Sequence, residues 1–377
     1  MKVAVAVHGR FHGFELAGQL RRHGLLSRLI TTYPAFAARR FLPAGTPLAT
    51  LPWLEMVRRA HAKLGLPGRP DLFIASHFGR ALAADLPAAD VLVGWSGATL
   101  EAIKPAQARG MKVVLERGST HIGHQTEVLA EAHARFGLSW RATDPRLIAR
   151  ESAEYAAADV ICTSCSYARQ TFIKRGVAPD KVVFNPYGVD LARFCPAERP
   201  AGNKRVLFVG SVGVRKGIPW LLDAFRTLPA DWSLHLVGPI EPGFDAVLAK
   251  YDLDRVVVRG PLPGAALAAE YAAADIFCLP SLEEGFALVI LQAMASGIAV
   301  VASTVSGAPD AGEDGVELSV VPPADKAALA DALGRLAADP EARAALGWAA
   351  RACIARGFSW AEYGERAIAL YRGLCGS

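Results

Sequence analysis

Short uninterrupted apolar runs, each followed by a helical stretch, recur along the whole chain and limit its fold more than any other feature. The first is Val3-Ala-Val-Ala-Val7, followed by a loop with Gly9 and Gly13 and then by a helical stretch, Phe14 to His23, closed by Gly24. A strand apolar on both faces needs cover on both, and a helix is the usual connection that returns the chain to a parallel neighbour. Runs of the same kind stand at Asp90-Val-Leu-Val-Gly94, Lys112-Val-Val-Leu115, Val160-Ile-Cys162 and Val182-Val-Phe184. Strands alternating with helices predict a doubly wound parallel sheet.

The pattern restarts after Phe194 to Lys204, a loop rich in Pro, Gly and charge. Strands are predicted at Val206 to Val209, Ser233 to Val237, Val256 to Val258 and Asp275 to Leu279, with helices at Pro219 to Thr227, Gly264 to Ala273 and Asp325 to Ala338. With 377 residues, the chain has the length of two domains. We place the first at 1–195 and the second at 200–355, both Rossmann-like. The uncharged stretch Gly285 to Pro309 is long enough to be examined as a membrane span, but it divides into a predicted buried helix, Phe286 to Ser296, and a strand, Ile298 to Ala302. Met1-Lys2 leads directly into the first strand with no secretory pattern, so the expected location is cytoplasmic. The six cysteines are spread along the chain, and Cys162-x-x-Cys165 lacks the second pair of a zinc site.

Charge is unevenly divided. Residues 1–195 carry 25 Lys and Arg against 15 Asp and Glu, whereas the remainder carries 16 against 21. A basic first half favours an anionic partner: a phosphate-bearing or lipid-linked acceptor, or an anionic membrane surface at the inner face of the cell membrane. Leu51 to Leu64 has the composition of an interfacial helix. A merely solvated basic surface accounts for the same residues equally well, and nucleic acid is not among the expected partners.

Two stretches of the second half carry chemistry. Gly210-Ser-Val-Gly-Val-Arg-Lys-Gly217 lies between a strand and a helix, where glycines permit close backbone approach and Arg215 and Lys216 can reach phosphate oxygens. Pro280-Ser-Leu-Glu-Glu-Gly-Phe-Ala-Leu-Val-Ile-Leu-Gln292 follows the strand ending at Leu279. Glu284 stands at the ligand-binding edge of such a sheet, and the N–H groups of Gly285, Phe286, Ala287 and Leu288 are expected to open a helix into the same cleft. Gln292, two turns on, shares that face. Taken singly, Glu284 reads as a helix N-terminal charge and Gln292 as a core amide.

Together with Asn185-Pro-Tyr-Gly-Val-Asp190, Val305-Ser-Gly-Ala-Pro-Asp310, Val320-Val-Pro-Pro323 and Phe358-Ser-Trp-Ala-Glu-Tyr363, these motifs make the chain resemble, over nearly its whole length, the retaining glycosyltransferases of family 4. The resemblance implies an α/β, GT-B architecture: two Rossmann-like doubly wound domains facing across a cleft, with a C-terminal helix, 359–377, returning to the first. It implies transfer of a hexosyl unit from a nucleotide-diphosphate sugar, UDP- or GDP-linked, to a glycan or lipid-linked acceptor, with no metal cofactor. Arg215 and Lys216 would then bind the donor diphosphate, together with Gly13 and the 285–288 amides. Glu284 and His121 would act at the donor sugar, and Gln292 would take the ribose position, where the family has a second glutamate. Ala287 and Ala299 stand where the family has glycine and proline, and Ser211 where it often has arginine.

Two other readings of the same fold remain open at this level. One is a non-catalytic binding or scaffold protein, the other a sugar-nucleotide epimerase or hydrolase.

Overall fold

In the computed structural model, which describes residues 1–66, 68–139, 142–197 and 203–376, the strands assemble into two all-parallel sheets. The first holds β1 (Val3–Val7), β2 (Leu26–Thr31), β3 (Leu48–Thr50), β4 (Val91–Trp95), β5 (Lys112–Arg117), β6 (Val160–Thr163) and β7 (Val182–Phe184), in the order β3-β2-β1-β4-β5-β6-β7. The second holds β8 (Arg205–Val209), β9 (Ser233–Val237), β10 (Val256–Val258), β11 (Ile276–Leu279), β12 (Ala299–Ser303) and β13 (Ser319–Val321), in the order β10-β9-β8-β11-β12-β13. Beyond the strands read from apolar runs, the sheets include β2, β3 and β13, which are short or only partly buried and so carry a weaker pattern.

Burial explains why the central strands take this form. Every residue of β1, β4 and β12 is buried, since helices cover both faces of each sheet. On one face of the first sheet, Phe78, Ile74 and Leu82 of the helix Asp71–Ala84 pack with Ala4, Ala6 and Leu92. Each such side chain stabilises the fold by roughly 1.5–3 kcal/mol.

In both sheets the strand order reverses beside the first strand of the set: between β1 and β4, paired from Val3 with Val91 to Ala6 with Gly94, and between β8 and β11, paired at Val206 with Ile276. Loops leaving neighbouring strands at a reversal diverge, which opens a crevice at the carboxyl ends. The expected boundary loop, Phe194 to Lys204, includes residues 198–202, which lie outside the described residues.

The C-terminal helix, Trp360–Cys375, returns to the first domain as the resemblance implies. A reciprocal cap starts it: Glu362 N–H donates to Ser359 Oγ, and Ser359 N–H donates back to the Glu362 carboxylate. Arg366 then donates from Nε to Asn185 Oδ1 at 3.0 Å and from Nη2 to the Pro186 carbonyl at 2.8 Å. Beside them Val189 N–H donates to the Phe358 carbonyl at 2.7 Å. Gly188 makes this close approach feasible, because a β-carbon there would stand 2.6 Å from the backbone of Ser359 and Trp360. Replacing Gly188 with Ala is expected to destabilise the protein by about 1–3 kcal/mol through overpacking, read as a lower midpoint in urea unfolding.

Candidate functional site

The two glycine- and charge-bearing loops of the second domain meet. Gly217 adopts a left-handed conformation (φ 74°), and a β-carbon there would lie 2.0 Å from the Pro280 carbonyl oxygen. Glycine therefore lets the loop after β8 cross the loop after β11, and Leu282 N–H donates to the Arg215 carbonyl at 2.8 Å. The crossing sets two cations against two carboxylates. Arg215 Nε donates to Glu283 at 3.0 Å, Arg215 Nη2 donates to Glu284 at 3.2 Å, and Lys216 Nζ pairs with the other Glu284 oxygen. The four formal charges cancel.

Arg215, Glu284 and Leu288 line one wall of a cleft of about 910 Å³ whose remaining walls come from the first domain. At the ends of β1 and β5, buried His12 lies 3.2 Å from buried Glu116, with its ring between those of Trp95 and Tyr187. Arg117 Nη1 donates to Glu151 at 2.8 Å, and Glu151 also accepts from the Ser96 and Tyr155 hydroxyls, each at 2.6 Å. Burial, and then the nearby Arg58 charge, lower the His8 pKa to about 4, so that imidazole is neutral at pH 7. Sugar hydroxyls both donate and accept, so paired carboxylates, arginines and a neutral imidazole suit a polyhydroxylated ligand.

Residues 283–286 form the seam between the domains. Fully buried Glu283 accepts at Oε1 from Ser119 Oγ (2.6 Å), Thr120 Oγ1 (2.6 Å) and Thr120 N–H (3.3 Å), and at Oε2 from Gln125 Nε2 (3.2 Å). Gly285 lies on the first domain so closely that a β-carbon would stand 2.2 Å from the Gly118 carbonyl oxygen. Its own carbonyl accepts from Cys165 Sγ at 3.3 Å, and Phe286 N–H donates to Ser164 Oγ at 3.1 Å. Farther along, Asp310 accepts from the Ser166 N–H and hydroxyl.

This arrangement sorts the residues expected from sequence. Arg215, Lys216 and Glu284 stand together, with Leu288 on the same cleft. The helix, however, is Leu288–Ala295 rather than Phe286 to Ser296. The amides of Phe286 and Ala287 are not free for a ligand: the first is bound by Ser164 and the second donates to the Ser306 carbonyl at 3.1 Å. Gly285 serves the seam. Gly13 opens the helix Gly13–Arg22 against Trp95, where a β-carbon would come within 2.9 Å of the ring. Gln292 accepts at Oε1 from the buried Tyr271 hydroxyl at 3.0 Å and is not on the cleft lining.

His121 requires a correction. It caps the helix Ile122–Arg135, its Nδ1 accepting from Gly123 N–H, and its ring meets Tyr155 and Phe172 beside a separate cavity shared with Arg175 and Lys181. The end of β5 and the loop that leads to His121 do reach the cleft, but through Glu116, Arg117 and Ser119. Glu116 and Arg117 were visible in that loop, and Glu283 as the acidic neighbour of Glu284. Their partners were not, because they lie 100 or more residues away along the chain in the His12–Glu116 and Glu283–Thr120 contacts.

In sequence the chain is similar to known sugar transferases. The family model described as "Glycosyl transferases group 1" matches residues 203–339. The chain is 33% identical over 220 residues to an MMP alpha-(1->4)-mannosyltransferase of Mycolicibacterium hassiacum, covering 56% of this chain and 53% of that protein, so the match spans about half of the relative's length. It is 33% identical over 282 residues to a D-inositol 3-phosphate glycosyltransferase of Actinosynnema mirum, covering 68% of this chain and 67% of that one. Its fold is similar to that of Anabaena HepE solved in complex with UDP, with a TM-score of 0.70 at 16% identity, over 99% of this chain and 100% of that chain.

The seam makes stability depend on pH. Burial alone would raise the Glu283 carboxyl, but the Arg215 charge and the Ser119, Thr120 and Gln125 donors outweigh it and lower its pKa from 4.5 to about 2. A lowered folded-state value stabilises above the unfolded value and is lost as pH falls. Wild type should therefore exceed Glu283→Gln by about 3 kcal/mol at neutral pH, with the difference shrinking from about pH 4.5 and vanishing near pH 2 in urea titrations.

Proposed function

Because the chain belongs to the group 1 glycosyl transferases, family 4, with the GT-B fold, we propose that it transfers a hexosyl unit from a UDP- or GDP-linked donor to a glycan or lipid-linked acceptor, retaining the anomeric configuration and using no metal ion. One observation carries this reading: Arg215 and Glu284 line a cleft walled by both domains, with Lys216 paired to Glu284 beside them. The relatives named as a mannosyltransferase and an inositol-phosphate glycosyltransferase, and the UDP held by the structural neighbour, support a nucleotide-linked hexose as donor.

In this reading the donor exchanges one set of ion pairs for another. Glu284 occupies Arg215 and Lys216 as a phosphate would, with one oxygen to each. An arriving diphosphate takes both cations and frees Glu284 for hydroxyls of the sugar. As the bond from the anomeric carbon to the phosphate oxygen breaks, charge grows on the leaving diphosphate, where the two preplaced cations stabilise it. The acceptor oxygen bonds to the anomeric carbon from the same face, and its proton passes to the departing phosphate oxygen. Neutral His8 and the Arg117–Glu151 pair stand where they can orient acceptor hydroxyls.

No helix among the described residues is long and apolar enough to cross a membrane. The helix Pro52–Lys63 instead exposes Trp53 (42%) and Met56 (68%) near Arg59, and its Glu55 and Arg58 line the cleft. A cytoplasmic enzyme resting on an anionic inner membrane through this helix would take a lipid-linked acceptor directly into the cleft. Trp53→Ser combined with Met56→Ser should then lower co-sedimentation with phosphatidylglycerol vesicles at least severalfold. Equal sedimentation of both proteins, or binding to phosphatidylcholine alone, rules this contact out.

A panel of UDP- and GDP-sugars, with binding and turnover followed separately, tests the main reading. Glu284→Ala should lower turnover by about 100-fold or more with the fold retained. Lys216→Ala should weaken donor binding by roughly 2 kcal/mol. EDTA should leave turnover unchanged. Binding without turnover on any acceptor would favour a scaffold, and release of altered or free sugar without acceptor would favour an epimerase or hydrolase.

A further inference from the structure

Glu283 and Glu284 are adjacent in sequence, yet their carboxylates face different parts of the molecule. Among the described residues, Glu284 pairs with cations of its own domain, whereas Glu283 takes four hydrogen bonds from the first domain and one from Arg215. Building on the transferase reading, we propose that Glu283 is a positioning residue that makes the grip of Arg215 on the donor diphosphate conditional on closure of the two domains.

The geometry gives the reason. A carboxylate has about four lone-pair sites, so five donors within 3.3 Å saturate Glu283 and hold it in one orientation. Its Oε1 is committed entirely to Ser119 and Thr120, and its Oε2 is shared by Gln125 and Arg215. Because Glu283 engages the Nε edge of Arg215, the terminal nitrogens turn toward Glu284 and the cleft, the edge with which a guanidinium grips an oxyanion. Parting the domains would remove Ser119, Thr120 and Gln125 together. Glu283 would lose four donors at once, and Arg215 would lose its brace.

The brace also reaches the acceptor side of the cleft. Gln125 donates to Glu283, and its Oε1 accepts from Arg117 Nη2 at 2.9 Å. Arg117 in turn holds Glu151. A continuous chain of charge-assisted hydrogen bonds thus runs from Glu151 through Arg117, Gln125 and Glu283 to Arg215, joining the acceptor wall to the donor cations. Closure is complete only when both ends of that chain are in register, and Arg215 is then aimed.

Thr120→Val tests this, since it removes one of the two shortest donors to Glu283 without touching Arg215. UDP and GDP are the probes, with affinity measured by calorimetry and thermal unfolding recorded for each variant. Thr120→Val is expected to weaken binding of the preferred nucleotide about fivefold and Glu283→Gln about tenfold. In an Arg215→Ala background, Thr120→Val should have less than about a twofold further effect, because the group it acts through is gone. If Thr120→Val weakens binding equally in both backgrounds, or in neither, the bracing role is overturned. Should Thr120→Val fail to fold, Ser119→Ala carries the same cycle. Wild type that binds neither UDP nor GDP instead overturns the transferase reading.

Discussion

Two cations set against two carboxylates at the mouth of the second sheet tie its loops to each other and, through Glu283, to the first domain. Arg215 lines the cleft and Lys216 is held beside it on Glu284, both largely removed from water, where an unpaired positive charge would cost several kcal/mol. Glu283 and Glu284 supply the opposite charge, but only because Gly217 lets the two loops cross and Leu282 ties them by a backbone hydrogen bond. The carboxylates are not equivalent. Glu283 is fully buried and shared with the first domain, whereas Glu284 lines the cleft and pairs with cations of its own domain. The cleft and the contact between the domains therefore meet at adjacent residues of one loop.

The sheets could be read from the chain because a parallel strand covered on both faces leaves an uninterrupted apolar run, as in Val3–Val7 and Ala299–Ser303. β3 and β13 were not evident, having three residues each and partial exposure. That Arg215, Lys216 and Glu284 would stand together was legible because their loops carry glycine and charge at a strand end. The seam was not. Whether Glu283 or Glu284 faces the cleft depends on where the first domain sits, and no local pattern records that. His121 misled for a related reason: it stands just after β5, but local capping of the next helix turned its side chain to a separate cavity.

Several departures from the family pattern have a physical account. Ala287 has φ −75° and ψ 103°, a backbone any residue adopts, so glycine is not required there. Gln292 is held by the Tyr271 hydroxyl, which fixes its amide oxygen without a charge. Nothing in the structure explains Ser211.

Finally, the polypeptide passes between the domains twice, near Val189 and again near Phe358, and a backbone hydrogen bond joins the two passages. Two tethers fastened side by side act as one pintle. Rotation about such an axle displaces points in proportion to their distance from it, so a small twist near Asn185 becomes a wide swing at the far lip, whereas sliding one half along the other would shear both passages.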